Sequence, residues 1–149
     1  MNKSLLASQI LNWSSDNSLF ITLNTTTNDR IKFEEQLSKI AHKLNDFCYG
    51  RSYERNEKKL NIIASIETGK INGILHAHLI VTFVYDSKRT LQEINAYVRK
   101  HWSLLIGVDN PFGSMVDVRM IGELSDRVSY LVKDTQYWLR NDVLNLVVL

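Results

Sequence analysis

The sequence is short of the residues that interrupt or cross-link a chain: of 149 residues, one is proline, six are glycine and one is cysteine. With no second cysteine, Cys48 cannot form an internal disulfide. It falls on a helical apolar stripe, which assigns the thiol a packing role and the protein a reducing, cytoplasmic compartment. The N-terminal stretch holds no long apolar run of the kind that forms a signal segment or a membrane span. No low-complexity segment, internal repeat or linker-like stretch breaks the chain, so residues 1–149 are expected to form a single domain with enough apolar side chains for a core. An excess of one charge is lacking too, since 18 basic residues face 16 acidic ones. The basic residues nevertheless cluster, at Arg51, Arg55, Lys58 and Lys59, at Lys88 and Arg89, and at Arg99, Lys100 and His101. Each cluster alone reads as a solvated face; their grouping points to an anionic partner.

The apolar pattern gives the order of elements. Leu19 to Asn24 alternates as a strand, with Leu19, Ile21 and Leu23 on one face and Phe20, Thr22 and Asn24 on the other. Thr27, Asn28 and Asp29 offer caps for a helix whose stripe runs from Phe33 to Cys48 and which closes at Gly50. Tyr49 to Lys59 reads as a basic, aromatic loop. Leu60–Ile71 and Ile74–Val84 form two more strands around Asn72-Gly73, a pair suited to a two-residue turn. Thr90 and Glu93 form a capping box for a second helix, with Leu91, Ile94, Val98 and Trp102 inward. Met115–Ile121 is a fourth strand, and Leu124, Val128, Leu131, Thr135, Trp138 and Leu139 mark a third helix. The fold class is therefore α+β: a ferredoxin-like or RRM-like βαββαβα core with an antiparallel sheet and helices packed mainly on one face. The apolar residues 143–149 are expected to add a strand or to form a dimer contact.

The chemistry concentrates on one strand. His76 and His78 alternate with Leu75, Ala77 and Leu79, so both imidazoles share the face turned away from the core. They are either a metal-binding pair or two unrelated histidines at a strand end. A two-residue Asn72-Gly73 turn sets Gly69 opposite His76, where it leaves room for an ion, and Glu67 opposite His78, at about 5 Å. Glu67 then reads as a third ligand or as an exposed strand-end acid. Two imidazoles and a carboxylate leave coordination positions for water or substrate. On the third helix, Tyr130 lies roughly a third of a turn from the centre of the apolar stripe. Lys133 and Tyr137 follow it away from the stripe.

Leu19-Phe20-Ile21-Thr22-Leu23-Asn24, His76-Ala77-His78 and Tyr130-Leu131-Val132-Lys133, in that order, resemble the three motifs of the HUH endonuclease superfamily. The chain is most similar to the single-tyrosine rolling-circle replication initiators of plasmids and small DNA viruses. The resemblance spans residues 19 to 137. It implies that His76, His78 and Glu67 hold Mg²⁺ or Mn²⁺, and that Tyr130 attacks a phosphodiester of single-stranded DNA, leaving a 5′-phosphotyrosyl link and a free 3′-hydroxyl. It also implies that Lys133 helps to stabilise the developing charge, with Tyr137 a second-ranked nucleophile. Thr22 and Asn24 are expected along the DNA path. Arg51, Tyr53, Arg55, Lys58 and Lys59 are expected to contact the DNA backbone and stack on bases, or else to form an ordinary exposed loop. No phosphate-loop motif is present, so strand separation falls to a host helicase, supercoiling or a single-stranded origin, with host polymerase extending the 3′ end.

Other readings are a single-tyrosine transposase or relaxase, a non-catalytic single-stranded nucleic-acid-binding module, and an iron site for oxygen chemistry. Lys133, where such transposases more often carry glutamine, favours the replication type. The strand carries histidines where an RNA-recognition sheet would carry aromatics. The iron reading leaves Tyr130 and Lys133 without a role.

Overall fold

Strand β1 (Ser18–Asn24) alternates as its sequence dictates, sending Leu19, Ile21 and Leu23 into the core at 7, 1 and 1% exposure. The computed structural model describes residues 18–51, 53, 57–108, 115–121, 126–128, 139–141 and 146–148. Helix α1 (Arg30–Tyr49) begins at Asp29, whose side chain accepts from the Lys32 amide, and stops at Gly50, with φ of +88°. Its Phe33, Leu37, Ile40, Ala41 and Leu44 lie in the same buried cluster as the inward residues of β1. Strands β2 (Asn61–Thr68) and β3 (Leu75–Thr82) follow, then α2 (Leu91–Ile106). Helix α2 opens with the expected capping box: the Thr90 hydroxyl accepts from the Glu93 amide at 3.1 Å and Glu93 accepts from the Thr90 amide at 3.0 Å. Its Ile94, Val98 and Trp102 are buried, and the Trp102 indole donates to the carbonyl of Asn24 at 2.8 Å, tying α2 to the end of β1.

Strand β4 (Val116–Met120) completes an antiparallel sheet in the order β4-β1-β3-β2. Two crossovers, each through one helix, place α1 and α2 against the face that carries Leu19, Ile21, Leu23, Ala64, Ala77 and Leu79. This is the α+β, ferredoxin-like arrangement expected from the element order. Cys48 packs at the margin of that cluster, and burial pushes its thiol up to about 11, as a packing role requires.

Two differences lie near the C-terminus. Leu139 belongs not to the third helix but to a short strand, β5 (Leu139–Asn141), which pairs antiparallel with β6 (Leu146–Val148). Strand β6 in turn runs parallel to β2, so the sheet extends to six strands and is no longer purely antiparallel. Of the two roles expected for the apolar C-terminal residues, the added strand is the one seen. It occupies the edge of β2 that a four-stranded sheet would leave unpaired. Among the described residues, no helix is long and apolar enough to cross a membrane.

Candidate metal centre

The second face of the sheet carries Phe20 and Thr22 from β1, Ile63, Ser65 and Glu67 from β2, and His76, His78 and Ile80 from β3. Its middle is apolar and closed, with Phe20, Ile63 and Ile80 at 5, 1 and 0% exposure. Toward the β2–β3 turn the face becomes polar, and there the expected metal ligands meet.

The hairpin register differs from the expected one. Glu67 lies opposite His76 and Ser65 opposite His78, a displacement of two residues. A two-residue turn of the type expected needs positive φ at both central positions. Asn72 does not adopt it; its side chain instead accepts from the Ile74 amide at 3.0 Å, and only Gly73 has positive φ, at +71°. The loop therefore widens to residues 70–73, closed by the Gly69 amide to the Ile74 carbonyl at 2.8 Å and the Gly73 amide to the Gly69 carbonyl at 3.0 Å. Gly69 does not make room for an ion beside His76. A Cβ there would lie 2.8 Å from Asn72 Oδ1 and 3.0 Å from the Ile74 carbonyl oxygen, so this glycine serves the turn. Because the period of a strand is two, a displacement of two keeps every side chain on its face. Glu67 stays with the histidines.

One carboxylate oxygen, Glu67 Oε2, lies 2.8 Å from His76 Nε2 and 3.4 Å from His78 Nε2. The three donor atoms all fall within 4.8 Å of one another. The two imidazole planes meet edge to face, with centroids 5.2 Å apart. Side-chain exposures of 22, 27 and 12% for Glu67, His76 and His78 describe a shallow site, reachable from solvent but partly shielded. Two neutral imidazoles and a carboxylate so convergent could hold a divalent ion, with positions open on the solvent side.

His78 is the best-supported member. Its Nδ1 lies 3.1 Å from the Thr22 hydroxyl, and its ring stacks on Phe20 at 5.5 Å with planes 18° apart. The contact with Thr22 and the stack on Phe20 fix the ring orientation; for Nε2 to ligate a metal, Nδ1 must carry the proton and donate to Thr22 Oγ1. Burial pushes the pKa of His78 below its ordinary value; the Glu67 charge pulls the other way, while His76 and Arg127 add to the lowering. The neutral, ligating form is thereby favoured at neutral pH.

Of the other candidates, Thr22 and Asn24 stand at the cluster, in register with His78 and His76. Thr22 acts on His78, and Asn24 closes β1 through its amide to the Met115 carbonyl at 2.9 Å. Arg51 and Lys58 are exposed and Lys59 half-buried, but they precede β2 whereas Glu67 is near its far end. Six residues of strand, about 20 Å, separate this basic loop from the Glu67, His76 and His78 cluster. The stacking role expected of Tyr53 is corrected: the ring is 1% exposed, part of the core, and its hydroxyl is bonded to His42 Nδ1 at 2.5 Å. An aromatic in a basic stretch read as a base platform because only the helix behind it, with His42 at its surface, reveals the inward direction. Arg55, Tyr130, Lys133 and Tyr137 lie outside the described residues.

Two residues at the site escaped the sequence reading. Phe20 is on the expected face, but nothing in the sequence marks it as the ring that His78 stacks on. Arg127, within the helical residues 126–128, lies with its guanidinium carbon 4.7 Å above the Phe20 ring centre. The only signal for it was its place three residues before Tyr130. No protein-family model, curated protein or solved structure matches this chain.

Proposed function

We propose that this protein is a metal-dependent enzyme that nicks and rejoins single-stranded DNA, an HUH endonuclease of the single-tyrosine replication-initiator type. The observation that carries the reading is the convergence of Glu67, His76 and His78 on the sheet face opposite α1 and α2. In this reading, Glu67, His76 and His78 hold Mg²⁺ or Mn²⁺. When bound, the ion supplies Lewis-acid polarisation of a phosphodiester and offsets the charge that develops on it. The Tyr130 hydroxyl attacks phosphorus as its proton passes to solvent, the bond from phosphorus to the 3′ oxygen breaks, and that oxygen takes up a proton to become a 3′-hydroxyl. Lys133 offers a second positive charge to the same phosphate. The tyrosyl phosphodiester conserves the energy of the broken bond, so attack by a 3′-hydroxyl can later rejoin the strand and release Tyr130.

Such an activity initiates rolling-circle replication in a host cytoplasm, with host helicase and polymerase acting on the free 3′ end. A transposase or relaxase would share the chemistry; the Lys133 position favours the replication role. The test is a denaturing gel of the protein with labelled single-stranded DNA and Mn²⁺. A covalent adduct is expected from the unmodified protein and from Tyr137→Phe, and none from Tyr130→Phe or in chelator. Equal adduct from Tyr130→Phe would remove the nucleophile assignment. Binding undiminished by chelator, with no adduct, would make the protein a non-catalytic binding module.

A further inference from the structure

Beside the cluster, the Arg127 guanidinium carbon lies 4.7 Å over the Phe20 ring, and Phe20 stacks on His78 at 5.5 Å. We infer that Arg127 is a phosphate-binding residue of this site, holding a phosphodiester of the DNA strand next to the Glu67, His76 and His78 cluster. The inference rests on the function proposed above and assigns that site a residue outside the motifs that carry the resemblance.

Three features support it. The guanidinium carbon lies 4.7 Å over the centre of the Phe20 ring, a contact that uses no N–H donor, and arginine binds phosphate through two parallel N–H hydrogen bonds. Among the described residues, no carboxylate forms an ion pair with Arg127. The platform is also firm: Phe20 is 5% exposed and the adjoining Val128 is fully buried, so the cation is held over the sheet rather than waving from a loop.

Electrostatics then supply a reason for an anion. Neutral imidazoles and one carboxylate leave a bound divalent ion only half neutralised, and Arg127 adds a further positive charge on the same face. Like charges so placed in a partly shielded site repel. A phosphodiester lying against both relieves each of them, and a strand brings several such groups in series. Arg127 therefore fits a DNA-bound state better than a state with metal alone.

The experiment measures binding of a labelled oligothymidylate in Mn²⁺ by fluorescence anisotropy over a range of salt, with Mn²⁺ affinity measured separately by calorimetry. Arg127→Met keeps an apolar stem on Phe20 and removes the charge; Arg127→Lys keeps the charge and loses the planar fork. Arg127→Met is expected to weaken the oligonucleotide about 10-fold and to lower the slope of log affinity against log salt by about 0.7, one single-strand phosphate contact. Its Mn²⁺ affinity should be equal to or tighter than that of the unmodified protein. Arg127→Lys should restore the slope but only part of the affinity. If the unmodified protein binds and nicks DNA while Arg127→Met keeps its full affinity and slope, the assignment of Arg127 fails and the nicking function stands. If the unmodified protein holds Mn²⁺ but has no affinity for the oligonucleotide, both fail together.

Discussion

Ala77 and Leu79 point into the face that α1 and α2 cover, whereas His76 and His78, their neighbours on the same strand, point to the other. On the helix-covered face the side chains are apolar and closed to water, and apolar burial at about 25 cal/mol per Å² stabilises the fold there. On the other face the centre is equally dry, but its end at the β2–β3 turn is polar and 12 to 27% exposed at Glu67, His76 and His78. A partly exposed histidine–carboxylate pair contributes little to stability. The helix-covered face therefore holds the fold together and the polar end of the other is free to carry chemistry, so substitutions in the two regions should separate into losses of stability and losses of binding.

The largest expected effect belongs to the first face. Trp102 is fully buried, lies against Phe33 and donates to the Asn24 carbonyl. Trp102→Ala should lower unfolding free energy by about 3–5 kcal/mol in urea titrations. A loss below about 1 kcal/mol would contradict the picture of a closed core there. His76→Ala tests the opposite face. Mn²⁺ affinity by calorimetry should fall by more than about 100-fold, beyond what loss of a supporting partner costs, while the thermal midpoint hardly moves. A variant that unfolds would instead make the histidine structural and erase the distinction between the faces.

Thr22→Val sharpens the same contrast at smaller scale. The substitution keeps volume and removes the hydroxyl that orients His78. A drop of about 10-fold in Mn²⁺ affinity is expected, with no change in urea midpoint. An unchanged affinity would mean that stacking on Phe20 alone positions the ring.

The two faces were also unequally legible in the sequence. The covered face follows from local rules: alternation in β1, the Asp29 and Gly50 caps and the Thr90 capping box were all readable because each depends on residues a few positions apart. The Glu67, His76 and His78 cluster was readable in membership but not in register. His76 and His78 share a face by strand period alone, yet the partner of each depended on whether Asn72 adopts positive φ or folds its side chain onto the Ile74 amide. Sequence does not decide between those two uses of an asparagine. Glu67 survived the error because a displacement of two preserves the face. Tyr53 and Leu139 differ from expectation for another reason: the inward direction of one and the strand pairing of the other depend on contacts beyond a single turn of chain, with His42 and β6. Arg127 carries no mark beyond its place three residues before Tyr130.

The smallest expected effect lies at the start of α2, remote in role from the polar face. Thr90→Ala removes the hydroxyl that caps the Glu93 amide and should cost about 1 kcal/mol of stability, with Mn²⁺ affinity unchanged because α2 packs on the opposite side of the sheet. Glu93 adds a pH signature. Its hydrogen bond from the Thr90 amide, foremost, holds its carboxyl below the usual carboxylate range. A folded pKa below the unfolded one means that the unfolded chain takes up the proton first, so the stability from this contact is present above the unfolded pKa and is lost as pH falls through the folded value. Glu93→Gln should therefore be less stable than the unmodified protein at neutral pH, and the difference should close as pH falls through the carboxyl range. Thermal melts of the two proteins across that range decide it: a difference that stays constant would show the capping contact to be indifferent to the charge on Glu93.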